Sequence, residues 1–289
     1  MNLLLRINVT LGLAFALGAV AAGYVCWGTL EKNAERQVIT EAGLMMDSAL
    51  AMRAYTSNEI DPLLSERMQH EFLPQSVPSY AATQSFLKLR EARPQYSYKE
   101  ATLNPTNLRD RAADWEADII QRFRNDAQAR EFVGRRDTPL GESLYLARPI
   151  HADAACLACH STPAAAPQTV LARYGSNNGF GWQANEVIGA QVVTVPFANA
   201  AANAESAFRA FMISLLIVFA ATLIAVNIAL YFLVVRPIRR MAGIADQLSL
   251  GDMSAPEFPV SGGKEIAALG RAFTRMRISL DKALKLLGT

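Results

Sequence analysis

The stretch Ala210-Phe211-Met212-Ile213-Ser214-Leu215-Leu216-Ile217-Val218-Phe219-Ala220-Ala221-Thr222-Leu223-Ile224-Ala225-Val226-Asn227-Ile228-Ala229-Leu230-Tyr231-Phe232-Leu233-Val234-Val235 runs straight into Arg236-Pro237-Ile238-Arg239-Arg240. Its reading decides the architecture. A helix of roughly 20 apolar residues crosses a bilayer, and Thr222 and Asn227 are polar interruptions here. Asn227 is either a hydrogen-bonding residue across a helix–helix interface or a polar residue tolerated in a bundle. Arg236, Arg239 and Arg240 put that end in the cytoplasm by the positive-inside rule.

A second apolar block, residues 7–30, lies near the start. A secretory signal would have an apolar region of about 7–15 residues and a small-residue cleavage site. This block is longer and ends in Tyr24-Val25-Cys26-Trp27, where Tyr24 and Trp27 suit the membrane interface. An uncleaved span is therefore expected, with Cys26 as a packing thiol. Two spans place both termini in the cytoplasm and the enclosed segment outside it. The expected layout is a short cytoplasmic start (1–6), a first span (7–30), a periplasmic domain (31–209), a second span (210–235) and a cytoplasmic tail (236–289), in a bacterial inner membrane.

Composition agrees. Among 289 residues, 51% are hydrophobic and 19% charged, a balance that favours membrane segments over disorder. With 28 basic and 26 acidic residues the net charge is +2, too even for a nucleic-acid binder. Three cysteines are too few for a disulfide-stapled scaffold. No repeat period recurs.

Within the enclosed segment lies Cys156-Leu157-Ala158-Cys159-His160. C-x-x-C-H is the attachment motif of c-type haem. Two thiols add to the two haem vinyl groups, and the next residue, His160, ligates the iron axially. Zinc would need further protein ligands, and a thioredoxin-like pair would need no following histidine. A plain disulfide between Cys156 and Cys159 is the other alternative. Covalent haem attachment occurs on the outer face of the bacterial membrane, where the topology places this motif. One covalently attached haem c per chain is the expectation.

The opposite iron ligand has several candidates: Met45, Met46, Met52, Met68, His70 and His151. A methionine there raises the potential, a histidine lowers it, and an empty position admits gases. His70 and His151 read as solvated. Met45 and Met46 lie on a helical run from Glu31 to Met52, a natural pocket wall, although methionines on such a helix also serve as core. Met45 is preferred over Met46 as the sixth ligand. Arg53 is a candidate partner for a haem propionate, with Lys99 and Arg148 weaker ones.

Around the motif, helices are expected from Glu31 to Asn58, from Tyr80 to Arg90, and from Leu108 to Asn125 behind a cap at Thr106 or Asn107. The last would carry Trp115, Ile119 and Phe123 on one face. Strands are expected at Glu131–Val133, Ser143–Arg148 and Val187–Val195. The fold class is α+β, helices first and then a small antiparallel sheet.

Several stretches together resemble a known family. They are Ala51-Met52-Arg53-Ala54-Tyr55-Thr56, Tyr98-Lys99-Glu100-Ala101 with Asn104-Pro105-Thr106-Asn107, Ala147-Arg148-Pro149-Ile150, the haem motif, Gly181-Trp182 and Ile188-Gly189-Ala190. The combination resembles a family of c-type haem domains of PAS-like fold, long catalogued as a domain of unknown function and often joined to signalling modules. The resemblance implies a sensor-like haem domain with His160 as one iron ligand. A member of that family uses a cysteine as the other, and this domain has no cysteine outside the motif.

The tail resembles a HAMP domain: Pro237 in a first helix, Gly251-Asp252 at its end, then Glu265-Ile266 opening a second. Ile266, Leu269, Phe273, Met276, Leu280, Ala283 and Leu287 form a heptad seam. Lys264 replaces the acidic residue often found there. HAMP implies a homodimer through a four-helix bundle. The alternative is an amphipathic tail on the inner leaflet. The leading expectation is a membrane sensor that passes haem redox or ligand state to HAMP and a separate cytoplasmic output protein. The alternative is a membrane-anchored electron-transfer cytochrome with a redox partner. No catalytic residue is assigned and no enzyme activity is expected.

Overall fold

The computed structural model describes residues 3–252, 254–259 and 263–286. Met1 and Leu287, which the sequence reading assigned to the cytoplasmic start and the seam, lie outside them. The chain divides into two compact units, one of residues 27–207 and one of residues 1–26 with 208–289.

In the first unit, α1 (Leu3–Tyr55) contributes its later turns. A π-turn, Thr56–Ile60, leads into α2 (Asp61–Met68). The sequence reading ended this helix near Asn58. The structure carries it past Pro62 because the wider turn lets Asp61 N–H reach back to the Thr56 carbonyl, and Pro62 then sits in a first turn, where its missing N–H costs little. Next come α3 (Pro78–Ala92), β1 (Ser97–Thr102), α4 (Asp114–Asn125), β2 (Phe132–Thr138), β3 (Gly141–His151), α5 (Ala154–His160), α6 (Gln168–Tyr174), β4 (Val187–Pro196) and α7 (Ala198–Leu230).

The four strands form one antiparallel sheet in the order β1-β4-β3-β2. Strand side chains alternate between faces, and here both faces are covered. Leu144, Leu146, Val193 and Val195 join Val38, Ala42, Met46 and Ala49 of α1 in one core. Ala147, Ala190 and Val192 join Ile119, Ile120 and Phe123 of α4 in the other. Double burial explains why β4 is apolar at most positions on both faces, with Gln191 and Thr194 the polar exceptions.

Two sequence expectations change. Strand β1 lies between the helices rather than after them, and its charges hide it: Glu100 faces α1 while Lys99 pairs with Glu116 of α4 at 2.6 Å. The expected helix from Leu108 also splits. Asn107 caps a short 3-10 turn, Leu108–Asp110. Ala112 N–H then bonds to Thr102 at the end of β1, and α4 starts afresh at Asp114, where Glu116 accepts from Ala113 N–H.

The roots of α1 and α7 meet at the β2–β3 hairpin. Arg135 lies 3.4 Å from Glu35 and 3.7 Å from Glu142. Its guanidinium covers the Phe197 ring at 4.1 Å, and Phe197 N–H bonds to the Glu142 carbonyl.

In the second unit, the apolar parts of α1 and α7 are long and apolar enough to cross a membrane. Asn8 and Asn227 exchange two side-chain hydrogen bonds of 2.9 and 2.8 Å. Phe15 stacks on Phe219 at 4.3 Å, and Gly23 lies against Met212. Rising numbers on one helix meet falling numbers on the other, so the pair is antiparallel. Asn227 thus takes the interface role. After a second π-turn, Tyr231–Val235, comes α8 (Arg236–Ser249), with Pro237 in its first turn. Gly251 (φ +90°) ends it. Met241, Ile244 and Leu248 pack on Ala255, Phe258, Ile266 and Phe273, the last two from α9 (Lys264–Leu286). Leu269, Met276 and Leu280 of the seam are exposed.

Asn227→Leu is expected to lower the thermal stability of the detergent-solubilised chain by about 0.5–1 kcal/mol, because Asn8 keeps an unsatisfied amide in an apolar setting. Asn8→Leu/Asn227→Leu together should cost less than the sum of the single changes, read from melting curves of the four proteins.

Candidate functional site

Strand β3 ends at a bulge between Ile150 and His151. The backbone of Ala152 then bonds to Glu186 and Asn185, which fixes the turn into α5. Asp153 caps that helix, its carboxylate accepting from Cys156 N–H at 2.9 Å. Cys156, Cys159 and His160 stand three and four positions apart, hence on one helix face. Both thiols are unbridged and half-buried. Burial pushes both above the usual thiol range, so they remain thiols at neutral pH.

His160 is held on three sides. Its Nδ1 donates to the Gly179 carbonyl at 2.7 Å. Thr106 Oγ1 lies 3.3 Å from the same nitrogen. The ring stacks on Trp182, centroids 4.0 Å apart and planes 14° apart. Burial lowers its pKa, so the imidazole is neutral at neutral pH. A carbonyl only accepts, so the proton sits on Nδ1 and the Nε2 lone pair is left for a metal.

The loop carrying Gly179 is itself clamped. Asn104 accepts from Gly179 N–H at 3.1 Å and donates to the Phe180 carbonyl at 3.3 Å. Gly181 N–H bonds to Ser161, and Trp182 N–H to the His160 carbonyl. Gly179 has φ +83°, and a Cβ there would lie 2.9 Å from Thr106 Cα and closer still to its hydroxyl. Only glycine fits.

The other candidates are distributed as follows. Arg53 lies on α1 and donates to Glu100; its charge also acts on Cys156 and Asp153. Asp61 acts likewise on Cys159. Met45 and Met46 are buried in the core against the sheet, in a cluster that contains no residue of α5. The structure gives both a packing role. Met52 packs on the same cluster. Met68 Sδ accepts from Leu73 N–H and Ser76. His70 is exposed, and His151, also exposed, lies 3.3 Å from the Asn185 carbonyl. Lys99 is engaged by Glu116, and Arg148 by Asp47 and Glu131.

Asn104, Thr106, Gly179 and Trp182 were legible only as turns and family markers. The signal that singles them out is chemical: a metal-binding histidine needs a partner for its second nitrogen, and a glycine turn offers a bare carbonyl. Two thiols with one neutral imidazole, Nε2 free, fit a haem held by two thioethers and one axial histidine.

Residues 31–196 match the family described as Tll0287-like. The chain belongs to the Tll0287-like family. Residues 230–282 match the HAMP domain. Among solved structures, the cyanobacterial heme-protein Tll0287 is similar at 16% identity and a TM-score of 0.43, over 55% of this chain and 94% of its own. No curated protein sequence matches the chain. The Tll0287-like region ends with β4, and the PAS-like, mixed α+β organisation expected from the sequence is the one found.

Gly179→Ala is expected to cost about 1–3 kcal/mol, as an L-residue forced to positive φ against a backbone neighbour. Loss of the His160 partner should also broaden the His160 ring signals in NMR of the isotopically labelled chain. Met46→Ala, a buried truncation in the core, should cost about 2–5 kcal/mol, read by thermal unfolding.

Proposed function

We propose that this chain is a membrane-anchored c-type haem sensor that passes the state of its haem to a HAMP domain. The observation that carries the reading is the His160 environment: a neutral imidazole with Nδ1 committed to Gly179, on the helix that also presents Cys156 and Cys159. Likeness to a heme-protein family supports the cofactor. The match to HAMP, a domain found in signal transduction, supports the role.

When bound, haem supplies one-electron chemistry and a site for small ligands. The chain's own residues do the rest. Cys156 and Cys159 attach it, one haem per chain. His160 binds iron through Nε2, Trp182 and Thr106 keep the ring from turning, and the Asn104 clamp keeps Gly179 in place. The role is non-enzymatic.

Topology follows from charge and pairing. Arg236, Arg239 and Arg240 support a cytoplasmic location for that end by the positive-inside rule, and the antiparallel pairing at Asn8–Asn227 supports the same side for the start of the chain. The domain between the spans is then periplasmic, where haem c is attached. Both spans connect directly to the domain, α1 through Glu35 and α7 through Phe197, which share the Arg135 contact. In the cytoplasm, a second copy would cover Leu269, Met276 and Leu280, giving a homodimer whose HAMP surface a separate partner reads. Electron transfer without signalling would leave HAMP as a dimerisation device only.

Purified from cells that attach haem c, the chain is expected to show a c-type pyridine haemochrome. His160→Ala should lose the native ferrous bands or load poorly. Absence of a haemochrome in the unmodified chain would overturn the reading. Carbon monoxide then tells the stimulus classes apart: ready binding marks a ligand sensor, and an inert low-spin haem marks a redox sensor or carrier.

A further inference from the structure

The carbonyl that takes the His160 proton belongs to a glycine, the residue with the least backbone preference of its own. Its aim is therefore imposed by neighbours. Two backbone bonds tie the loop to the end of α5: Gly181 N–H to the Ser161 carbonyl, and Trp182 N–H to the His160 carbonyl. Both acceptors travel with His160, so neither bond fixes the loop against the rest of the domain. Asn104 does, from a different element, the turn after β1. Its Oδ1 accepts from Gly179 N–H at 3.1 Å, and its Nδ2 donates to the Phe180 carbonyl at 3.3 Å. These two groups belong to the peptides on either side of the one whose carbonyl faces His160 Nδ1 at 2.7 Å.

Gly179 is buried although Asn104 is exposed. A buried N–H must find its partner in the protein, so solvent does not replace the Asn104 oxygen. The asparagine is itself held from behind. It precedes Pro105, and a residue before proline is restricted to extended backbone. Pro105 is buried. Two residues before Asn104, Thr102 closes β1 and its carbonyl accepts from Ala112 N–H. The same turn places the Thr106 hydroxyl 3.3 Å from His160 Nδ1. A fixed sheet edge, a stiff turn and one amide side chain thus lead to the peptide that binds the His160 proton.

We propose that Asn104 is a positioning residue for the haem: by fixing the aim of the Gly179 carbonyl at Nδ1, it keeps the His160 imidazole electron-rich and holds the reduction potential of the iron down. The inference rests on the haem reading above. The more firmly an acceptor holds Nδ1–H, the more basic Nε2 becomes. A more basic axial ligand favours the ferric state, the more highly charged ion, over the ferrous one. Hydrogen bonding to an axial ligand is one of the levers by which a protein sets a haem potential. Here that lever is worked from the turn after β1, outside the helix that carries the ligand.

The test uses the full haem-loaded chain in detergent, with isotopically labelled histidine. Pyridine haemochrome is measured first, and a chain without haem c refutes the haem reading rather than this inference. Two quantities are then read. One is the ferric-to-ferrous ratio at fixed ambient potential. The other is the His160 Nδ1–H signal in NMR of the ferrous protein, with carbon monoxide added where it binds. Asn104→Ala should move the ratio toward ferrous, on the order of threefold to tenfold, the worth of one hydrogen bond. It should also move the Nδ1–H signal upfield as that bond weakens. Asn104→Asp keeps an acceptor for Gly179 N–H, so its Nδ1–H signal should stay near the parent. Val38→Ala loosens the core between α1 and the sheet, a cluster with no residue of the loop, and should leave both quantities unchanged. An unchanged ratio in fully loaded Asn104→Ala, a shift toward ferric, an equal shift in Val38→Ala, or an Asn104→Asp signal as far upfield as that of Asn104→Ala overturns the inference. If Asn104→Ala does not accumulate as loaded protein, Asn104→Ser decides it. A serine hydroxyl is too short to bridge Gly179 and Phe180, so the ratio should still move toward ferrous, and a parent-like ratio overturns the inference.

Discussion

The hydrogen bond from His160 Nδ1 to the Gly179 carbonyl determines which imidazole nitrogen can reach a metal, and the surrounding chain is arranged to keep it. Gly179 must take φ +83° within touching distance of Thr106. Asn104 grips the loop on both sides of that glycine. Trp182 closes the free face of the ring and returns its own N–H to the His160 carbonyl. A histidine on a seven-residue helix would otherwise have several rotamers and two tautomers. Second contacts of this kind orient and tune metal ligands.

The sheet makes this arrangement possible. Strand β3 delivers α5, and β4 begins just after the Gly179 loop, so the two strands that pair at the centre also bring the loop back to the helix. Strand β1, pairing with β4 on its other edge, ends next to Asn104 and Thr106. The same strand carries Tyr98 and Glu100, which tie the sheet to Arg53 of α1. Site and helix are therefore joined through one strand. At the other end of the sheet, Arg135 and Phe197 join the roots of α1 and α7.

Much of this was legible from residues alone. Hydrophobic blocks and three arginines marked the spans, C-x-x-C-H marked α5, and the run at Val187–Val195 marked a strand whose full burial explains its lack of alternation. Strand β1 was missed because Lys99 and Glu100 read as surface charges; each is paired against a different helix, which only the tertiary structure supplies. The continuation of α1 through Pro62 was missed because a π-turn leaves no sequence signature beyond the proline it accommodates. The partners of His160 were visible as turn residues, yet a turn's carbonyl carries no side-chain signal. Met45 and Met46 had the chemistry of iron ligands, and periodicity could not show that their side of α1 is the one packed on the sheet.

The account stands on covalent attachment at α5, and intact-protein mass under denaturing conditions tests that most directly. The chain from haem-c-attaching cells is expected to carry the mass of one haem that denaturant and acid solvent do not remove, and Cys156→Ser/Cys159→Ser is expected to carry none. A full-length chain at its bare polypeptide mass, with both thiols open to alkylation, would contradict it.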